Sequence, residues 1–478
     1  MKAFRTLRGI NRHSSFKKTY VPATTPQLSA FNDRGVVDEP TFTLARPSGH
    51  KGISLKVLVH CLGDRRWIAE PVWGSRSGHL PYDGTQPHMG SIVYPSRSEA
   101  VEKAIDVGLV KIRKQLGLLG QTAAWCKKVQ AVESWAAEAV AQTRKFDETL
   151  VLYGTTVIDL CSGGLGGFGL GLTSLGAEVK LAVEIDPQAR HAYRQNVKPS
   201  HMHDDVCTLD GTKLKCDILS VGLLCQAFSP SGKRKGFADP VLYKIYHHTL
   251  RLLREIDAKV IIIECARQLL THGDGQDAET VRQTLMKAGY RVQHRTLNAS
   301  GFGLAQSRER SFIVATRLGL PVDDIMGYVF PTEQKPTACV EDILESNVPH
   351  TIADDQFVLH SEVPTERQTV LAEVGLLKTV KDQKLLDAQG YRLYSPKGLG
   401  ATLTASAGGR ASCTGVYLVN GHARGLTPRE ASRLQGMPEW ALHHPTTSHA
   451  LKHAGNAVAV PVARELGRQL AQILGKRG

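Results

Sequence analysis

From about residue 155 onward the sequence reads as a doubly wound α/β protein, a parallel sheet with helices on both faces, and two observations carry that reading. Apolar runs of strand length at 155–160, 177–186, 216–222 and 259–266 alternate with stretches suited to helices. The first run opens directly into a glycine-rich turn with Gly163, Gly164, Gly166 and Gly167, and the second ends in Glu184 and Asp186. Ligands of such sheets lie beyond the carboxyl ends of the strands, the edge at which this turn, Glu184 and Cys225 all fall.

Residues 1–50 are basic, rich in Ser, Thr and Pro and without sustained periodicity, and are expected to be a flexible terminus. Residues 51–150 predict a small α+β module and linker. Strands are expected at 53–61 and 65–74, a turn-rich loop at 75–90, and a helix at 95–117 opened by Ser96 or Ser98 and closed by Gly117. At 122–149, Trp125, Val129, Val132, Ala136, Ala139 and Val140 fall near one face of a bridging helix. The sheet then occupies 151–317, and the helix before its fourth strand carries Leu242, Tyr246, Leu250 and Leu253 on one face.

With 42% hydrophobic and 22% charged residues, a sizeable core is expected. There is no apolar run of about 18 residues and the first twenty lack the apolar block of a secretory signal, so no membrane association and a cytoplasmic location are expected. A transit-like basic start stays open as an alternative. Nine cysteines, an odd number with no Cys-x-x-Cys pair, argue against a disulfide framework and against a structural zinc, so no metal is expected. The net charge of +14 points to a polyanionic partner. Residues 1–150 hold 22 Lys and Arg against 13 Asp and Glu, a net of +9, which leaves +5 for the other 328 residues, so most of the excess lies outside the sheet.

Three features bear on chemistry. The glycine turn, with an acid about twenty residues on, suits a nucleotide-like cofactor whose ribose hydroxyls the acid accepts, or else a turn kept for packing. Cys225 ends a strand, with Lys233, Arg234 and Lys235 downstream to favour a thiolate; the alternative is one more buried thiol. Glu264 ends an apolar run, where a carboxyl must be paired or protonated; it is either a proton donor or a rim carboxylate in an ion pair.

Eight short blocks then follow one another: DLCSGGLGGF (159–168), EID (184–186), DDV (204–206), CQAFSPSGKRKG (225–236), EC (264–265), QSRER (306–310), RGLTPREASRLQGMPE (424–439) and GNAVAVPVA (455–463). In this order they resemble the motifs of the DNA cytosine-5 methyltransferases, over more than 300 residues. The resemblance implies a Rossmann-like class I methyltransferase sheet acting on double-stranded DNA with S-adenosyl-L-methionine. It makes Cys225 the nucleophile toward C6 of a cytosine flipped out of the duplex, Glu264 the partner of N3, and Arg310 with Arg308 the holders of the O2 side and the loop. It assigns the cofactor to Asp159, Gly163, Gly166, Gly167, Phe168, Glu184, Ile185, Asp205, Val206, Leu224, Asn456 and Val458. Gln226, Ser229, Lys233, Arg234 and Gln306 are implied to meet DNA. A monomer of bacterial, plasmid or phage origin is implied, and a cognate restriction endonuclease is left open as a partner.

The sequence departs from that family at several places. Leu223-Leu224 precedes the cysteine where the family has proline, which loosens the loop and adds a backbone donor. Cys265-Ala266 replaces Asn-Val, Cys161 stands in place of Phe, and the glycine turn carries one residue more than usual between Ser162 and Phe168. The basic stretch after Cys225 ends in Pro240-Val241 where relatives often carry an Arg. A small target-recognition region is expected at 318–395, with 396–478 returning to the catalytic domain. The 51–150 module is either an additional DNA-binding unit or a stabilising appendage. The rival readings are a DNA-binding homologue that has lost turnover and an RNA cytosine-5 methyltransferase.

Overall fold

The computed structural model describes residues 42–45, 53–61, 67–75, 97–119, 130, 132–134, 136–138, 150–223, 240–320, 327–405, 411, 413–441 and 446–475. The chain divides into two compact units, Met1–Thr149 and Leu150–Gly478.

In the first unit β1 (Phe42–Ala45), β2 (Ile53–Cys61) and β3 (Trp67–Ser75) form an antiparallel sheet, against which α1 (Arg97–Leu119) packs. The helix buries Val101, Ala104, Ile105 and Ile112, a spacing of three to four residues that keeps one stripe on the strands. It continues past Gly117, where the sequence suggested a stop. The terminus expected to be flexible contains β1, because Phe42–Ala45 finds a ladder on β2; the remainder of that stretch lies outside the described residues. Of the bridging helix, Val132 and Ala136 are buried one turn apart.

The second unit opens with β4 (Thr156–Leu160), α2 (Gly167–Thr173), β5 (Glu178–Val183), α3 (Pro187–Asn196), β6 (His201–His203) and β7 (Lys215–Gly222). It continues with α4 (Pro240–Glu255), β8 (Asp257–Ala266), α5 (Gln276–Lys287), β9 (Tyr290–Asn298) and β10 (Glu309–Arg317). The seven strands lie in the order β6-β5-β4-β7-β8-β10-β9, all parallel except β10, which runs antiparallel to both neighbours. The ten residues between β9 and β10 are too few for a parallel crossover, so the chain turns back and inserts β10 beside β8. Burial alternates along β8: Val260 and Ile262 join the core on one face, Ile261 and Ile263 that on the other.

Beyond the sheet, β11 (Phe357–Leu359), β12 (Glu373–Leu377), β13 (Arg392–Tyr394), β14 (Val416–Val419) and β15 (His422–Gly425) form a second, five-stranded sheet. The expected boundary at residue 395 does not divide it, because Leu393 of β13 pairs with Val416 of β14. The hairpin that adds β14 and β15 turns on Asn420 and Gly421, at φ 53° and 85°, the left-handed pair a two-residue turn requires. The chain returns through α6 (Pro428–Leu434), α7 (Thr447–Asn456) and α8 (Val460–Ile473). Among the described residues no helix is long and apolar enough to cross a membrane.

The junction of the second sheet with α6 is a buried ion pair. Arg424 Nη1 and Nη2 each donate to a Glu430 carboxylate oxygen at 2.8 Å, and Glu430 Oε1 also accepts from the Glu345 N–H at 2.7 Å. Thr427 and Glu430 close a capping box at the start of α6. Burial works against the Glu430 charge, but these donors win and hold its carboxyl below the usual range. Arg424→Met strands that carboxylate, and a loss of about 3–5 kcal/mol in urea-unfolding free energy is expected. A change within ~1 kcal/mol would mean that the pair is dispensable.

Candidate active site

The carboxyl ends of β4, β5, β7 and β8 place one group of side chains along a single edge. The turn after β4 enters α2 through Gly166, whose φ of 71° and closeness to Val197 and Tyr193 both exclude a side chain. A Cβ on Gly167 would lie 2.0 Å from the Val458 carbonyl oxygen, so the junction between α7 and α8 packs directly on α2. Phe168 and Val458 are buried in that seam, and Asn456 is exposed at the last residue of α7.

Gly163 donates its N–H to Glu184 Oε2 at 2.9 Å, while Glu184 Oε1 accepts from the Asp186 N–H at 3.0 Å. Ile185 beside it is 62% exposed, an apolar platform at the rim. Asp205 Oδ1 accepts from the Cys207 N–H at 2.8 Å, which holds its carboxyl below the usual range, and Val206 is buried behind it. Cys161 is no nucleophile: burial, with the charges of Glu184 and Asp159, pushes its thiol up to about 12.

Asp159, expected to touch a cofactor, is instead buried with both carboxylate oxygens occupied, Oδ2 by the Tyr193 hydroxyl and Oδ1 by the Ser220 hydroxyl, each at 2.7 Å. It fixes the end of β4 to α3 and β7. Tyr193 went unnoticed in the sequence because it reads as one more residue on the buried stripe of α3, with Ala189 and Ala192.

On the neighbouring strand Glu264 is 4% exposed, and Arg310 Nε lies 3.1 Å from its Oε1. Burial pushes the Glu264 carboxyl up, and Arg310 and Arg308 pull against it without prevailing. The group is thus biased toward its protonated form beside a fixed cation, which suits a proton donor. Leu223 donates its N–H to the Glu264 carbonyl at 2.9 Å, so the backbone donor that replaces a proline extends the β7–β8 pairing. Cys265 directs its thiol at the Ser311 carbonyl, 3.5 Å away on β10, and so belongs to the sheet core.

Two residues expected to work at the substrate are committed elsewhere. Arg308 is 3% exposed, and its Nη atoms donate to the carbonyls of Leu403, Gly455 and Ala457 at 2.9–3.0 Å. Gln306, expected to meet DNA, is fully buried, donating to the Leu434 carbonyl and accepting from the Leu403 N–H, both at 2.9 Å. Asn298, which no motif marked, holds the approach to these residues: its Oδ1 accepts from the N–H groups of Arg308 and Ser300. Leu224, Cys225, Gln226, Ser229, Lys233 and Arg234 lie outside the described residues.

A family model described as C-5 cytosine-specific DNA methylase matches residues 155–472. The chain belongs to this family. Relatives of this methylase include the type II methyltransferase M.HhaI of Haemophilus parahaemolyticus, 34% identical over 326 residues that cover 68% of this chain and 96% of that protein. Another is the type II methyltransferase M.Bsp6I of Bacillus sp. (strain RFL6), 29% identical over 311 residues, 64% of this chain and 96% of that one. Among solved structures, the Entamoeba histolytica methyltransferase EhMeth superposes with a TM-score of 0.50 at 18% identity, covering 67% of this chain and 98% of its own, a likeness of fold.

The edge of the methylase sheet fits a cofactor that carries a ribose. Among the described residues, nothing lies within 4 Å of where a Cβ would stand on Gly163, and Ser162 Oγ is buried without a hydrogen-bond partner. Each Glu184 oxygen accepts one bond from the chain, which leaves lone pairs for hydroxyl donors.

Burial pushes the Asp159 carboxyl up to about 6 against the hydrogen bonds from Ser220 and Tyr193. The folded methylase therefore holds this proton more tightly than the unfolded chain, in which an Asp titrates near ~4. Its stabilising contribution is full below about pH 4 and is lost as pH rises through about 6. Urea unfolding should show the native chain losing on the order of 1 kcal/mol relative to Asp159→Asn between about pH 5 and 7. A difference independent of pH would mean that the carboxylate is ionised throughout.

Proposed function

We propose that this methylase transfers a methyl group from S-adenosyl-L-methionine to C5 of a cytosine flipped out of double-stranded DNA, within a short recognition sequence. The observation that carries the reading is the buried Glu264–Arg310 pair at the end of β8, one strand away from the segment that bears Cys225. Glu184, Ile185, Asp205 and the backbone of the glycine turn are the groups to hold the cofactor, which supplies an electrophilic methyl when bound.

In this reading the Cys225 thiolate adds to C6 of the ring. Glu264 gives its proton to N3 as electron density moves onto the pyrimidine, and Arg310 steadies the charge at O2. The 5,6 double bond is thereby opened to an enamine whose C5 is nucleophilic. Methyl transfer leaves S-adenosylhomocysteine; the C5 proton then goes to a base as the C6–S electrons return to sulfur, and N3 gives its proton back to Glu264, restoring both side chains. Gln226, Ser229, Lys233 and Arg234 would fill the gap left by the base and hold phosphates. Residues 318–395, together with the β14–β15 hairpin, would read the sequence in the major groove.

Incubation with methyl-labelled S-adenosyl-L-methionine and either duplex DNA or tRNA should put label into DNA as 5-methylcytosine, and Cys225→Ala should abolish it. Label confined to tRNA would overturn the substrate, and label surviving in Cys225→Ala would overturn the mechanism. Glu264→Gln keeps the shape of the side chain and removes the acid, so kcat should fall by about 10²-fold or more with cofactor affinity unchanged. A kcat within ~threefold of native would remove Glu264 from proton transfer.

A further inference from the structure

The glycine at 164 is not required by its backbone, since its φ lies outside the left-handed region that Gly163 and Gly166 occupy. It is required by one side chain. The three heavy atoms nearest to a Cβ built there all belong to His453: Nδ1 at 2.6 Å, Cγ at 2.9 Å and Cε1 at 3.1 Å. His453 sits on α7 and is 3% exposed, so its ring cannot swing into solvent to make room. Gly163, the preceding residue, makes the N–H bond to Glu184. Lys452, next to His453 on the same helix, lies 3.9 Å from Asp186 Oδ2 at the start of α3.

We propose that His453 is a positioning residue for the cofactor, a claim that rests on the S-adenosyl-L-methionine reading above. A turn with one residue more than usual has slack to take up. The imidazole takes it up by pressing on Gly164, which aims the Gly163 N–H at Glu184 and fixes that carboxylate in the posture that receives a ribose. His453 acts through the turn and touches no reacting atom. The contact ties the returning end of the chain to the cofactor edge at a point distinct from the Gly167–Val458 seam.

The test is a pair of substitutions that fill and empty the same space in the full chain, read by calorimetric titration of S-adenosylhomocysteine. Gly164→Ala should weaken binding by about tenfold or more in the native background and add less than about twofold in His453→Ala, where the ring is gone. His453→Ala alone should weaken binding about five- to twentyfold with kcat at saturating cofactor within ~twofold of native, while His453→Gln, of similar length and polarity, should restore most of the affinity. Equal losses from Gly164→Ala in both backgrounds, or none in either, would overturn the proposal. If the native chain binds neither S-adenosylhomocysteine nor S-adenosyl-L-methionine, the cofactor reading fails, and with it the role given to His453. The contact itself is read separately by thermal unfolding, in which Gly164→Ala should lower Tm in the native background and not in His453→Ala.

Discussion

The catalytic unit depends on one buried cation. Arg308 stands just before β10, yet its guanidinium is spent on three carbonyls contributed by residues 403, 455 and 457, about a hundred and more positions later in the chain. A hydrogen bond to a charged donor contributes about 1.5–3 kcal/mol, and a buried guanidinium without such partners is prohibitive, so the returning segment must arrive in one place. Gln306 and Gln435 extend the seam: Gln435 Nε2 donates to the carbonyls of Ala454 and Ala457, and Gln306 bridges Leu434 and Leu403. What that seam delivers is the α7–α8 junction, with Val458 against Gly167 and His453 against Gly164. The cofactor edge is thus shaped by residues near both ends of the catalytic unit, and Arg308 makes the two ends one site.

Two buried glutamates are shifted in opposite directions. Glu430 receives both Arg424 Nη atoms and two backbone N–H groups, and its carboxyl is held below the usual range. Glu264 faces Arg310 through a single Nε approach at 3.1 Å, and burial outweighs it, raising the carboxyl. The same residue type with the same kind of partner is therefore shifted down at Glu430 and up at Glu264. Backbone donors from Glu345 and Thr427 add to the Arg424 pair at Glu430, while burial is the larger influence at Glu264.

Much of this was legible from residue pattern. Apolar runs marked β4, β5, β7 and β8 because strands buried on both faces are nearly continuous in hydrophobic residues. β6 has three residues, His-Met-His, too few for any period, and β9 runs through consecutive polar residues at Gln293, His294, Arg295 and Thr296 that break its alternation, so neither stood out. Within the site, a motif does not announce what its side chains face. Gln306, Arg308 and Arg310 are spaced by two and so share one side of an extended segment, yet that side meets the returning chain at its first two positions and Glu264 at the third. Asp159 shows the same: an acid next to a glycine turn resembles a ligand group, and the fold supplies it with Tyr193 and Ser220 as partners from α3 and β7.

The replacements around the nucleophile segment acquire a physical meaning in the same frame. A proline at position 223 would have no N–H, and the pairing of β7 with β8 would end at Gly222. With leucine there, the ladder runs one residue further and binds the carbonyl of Glu264 itself. Cys265 is drawn the other way, onto Ser311 of β10. The backbone that carries the acid is therefore gripped on one side by the strand leading to Cys225 and on the other by the strand that begins at Arg310's neighbour, Glu309. Leucine gives up the rigidity a proline ring would bring, and the bond it gains is made at Glu264, the acid of the proposed reaction. Weakening that bond should loosen the end of β7 and the backbone of Glu264 before it disturbs the fold, because Leu223 is the last residue of the pairing and the strands behind it are held by buried isoleucines.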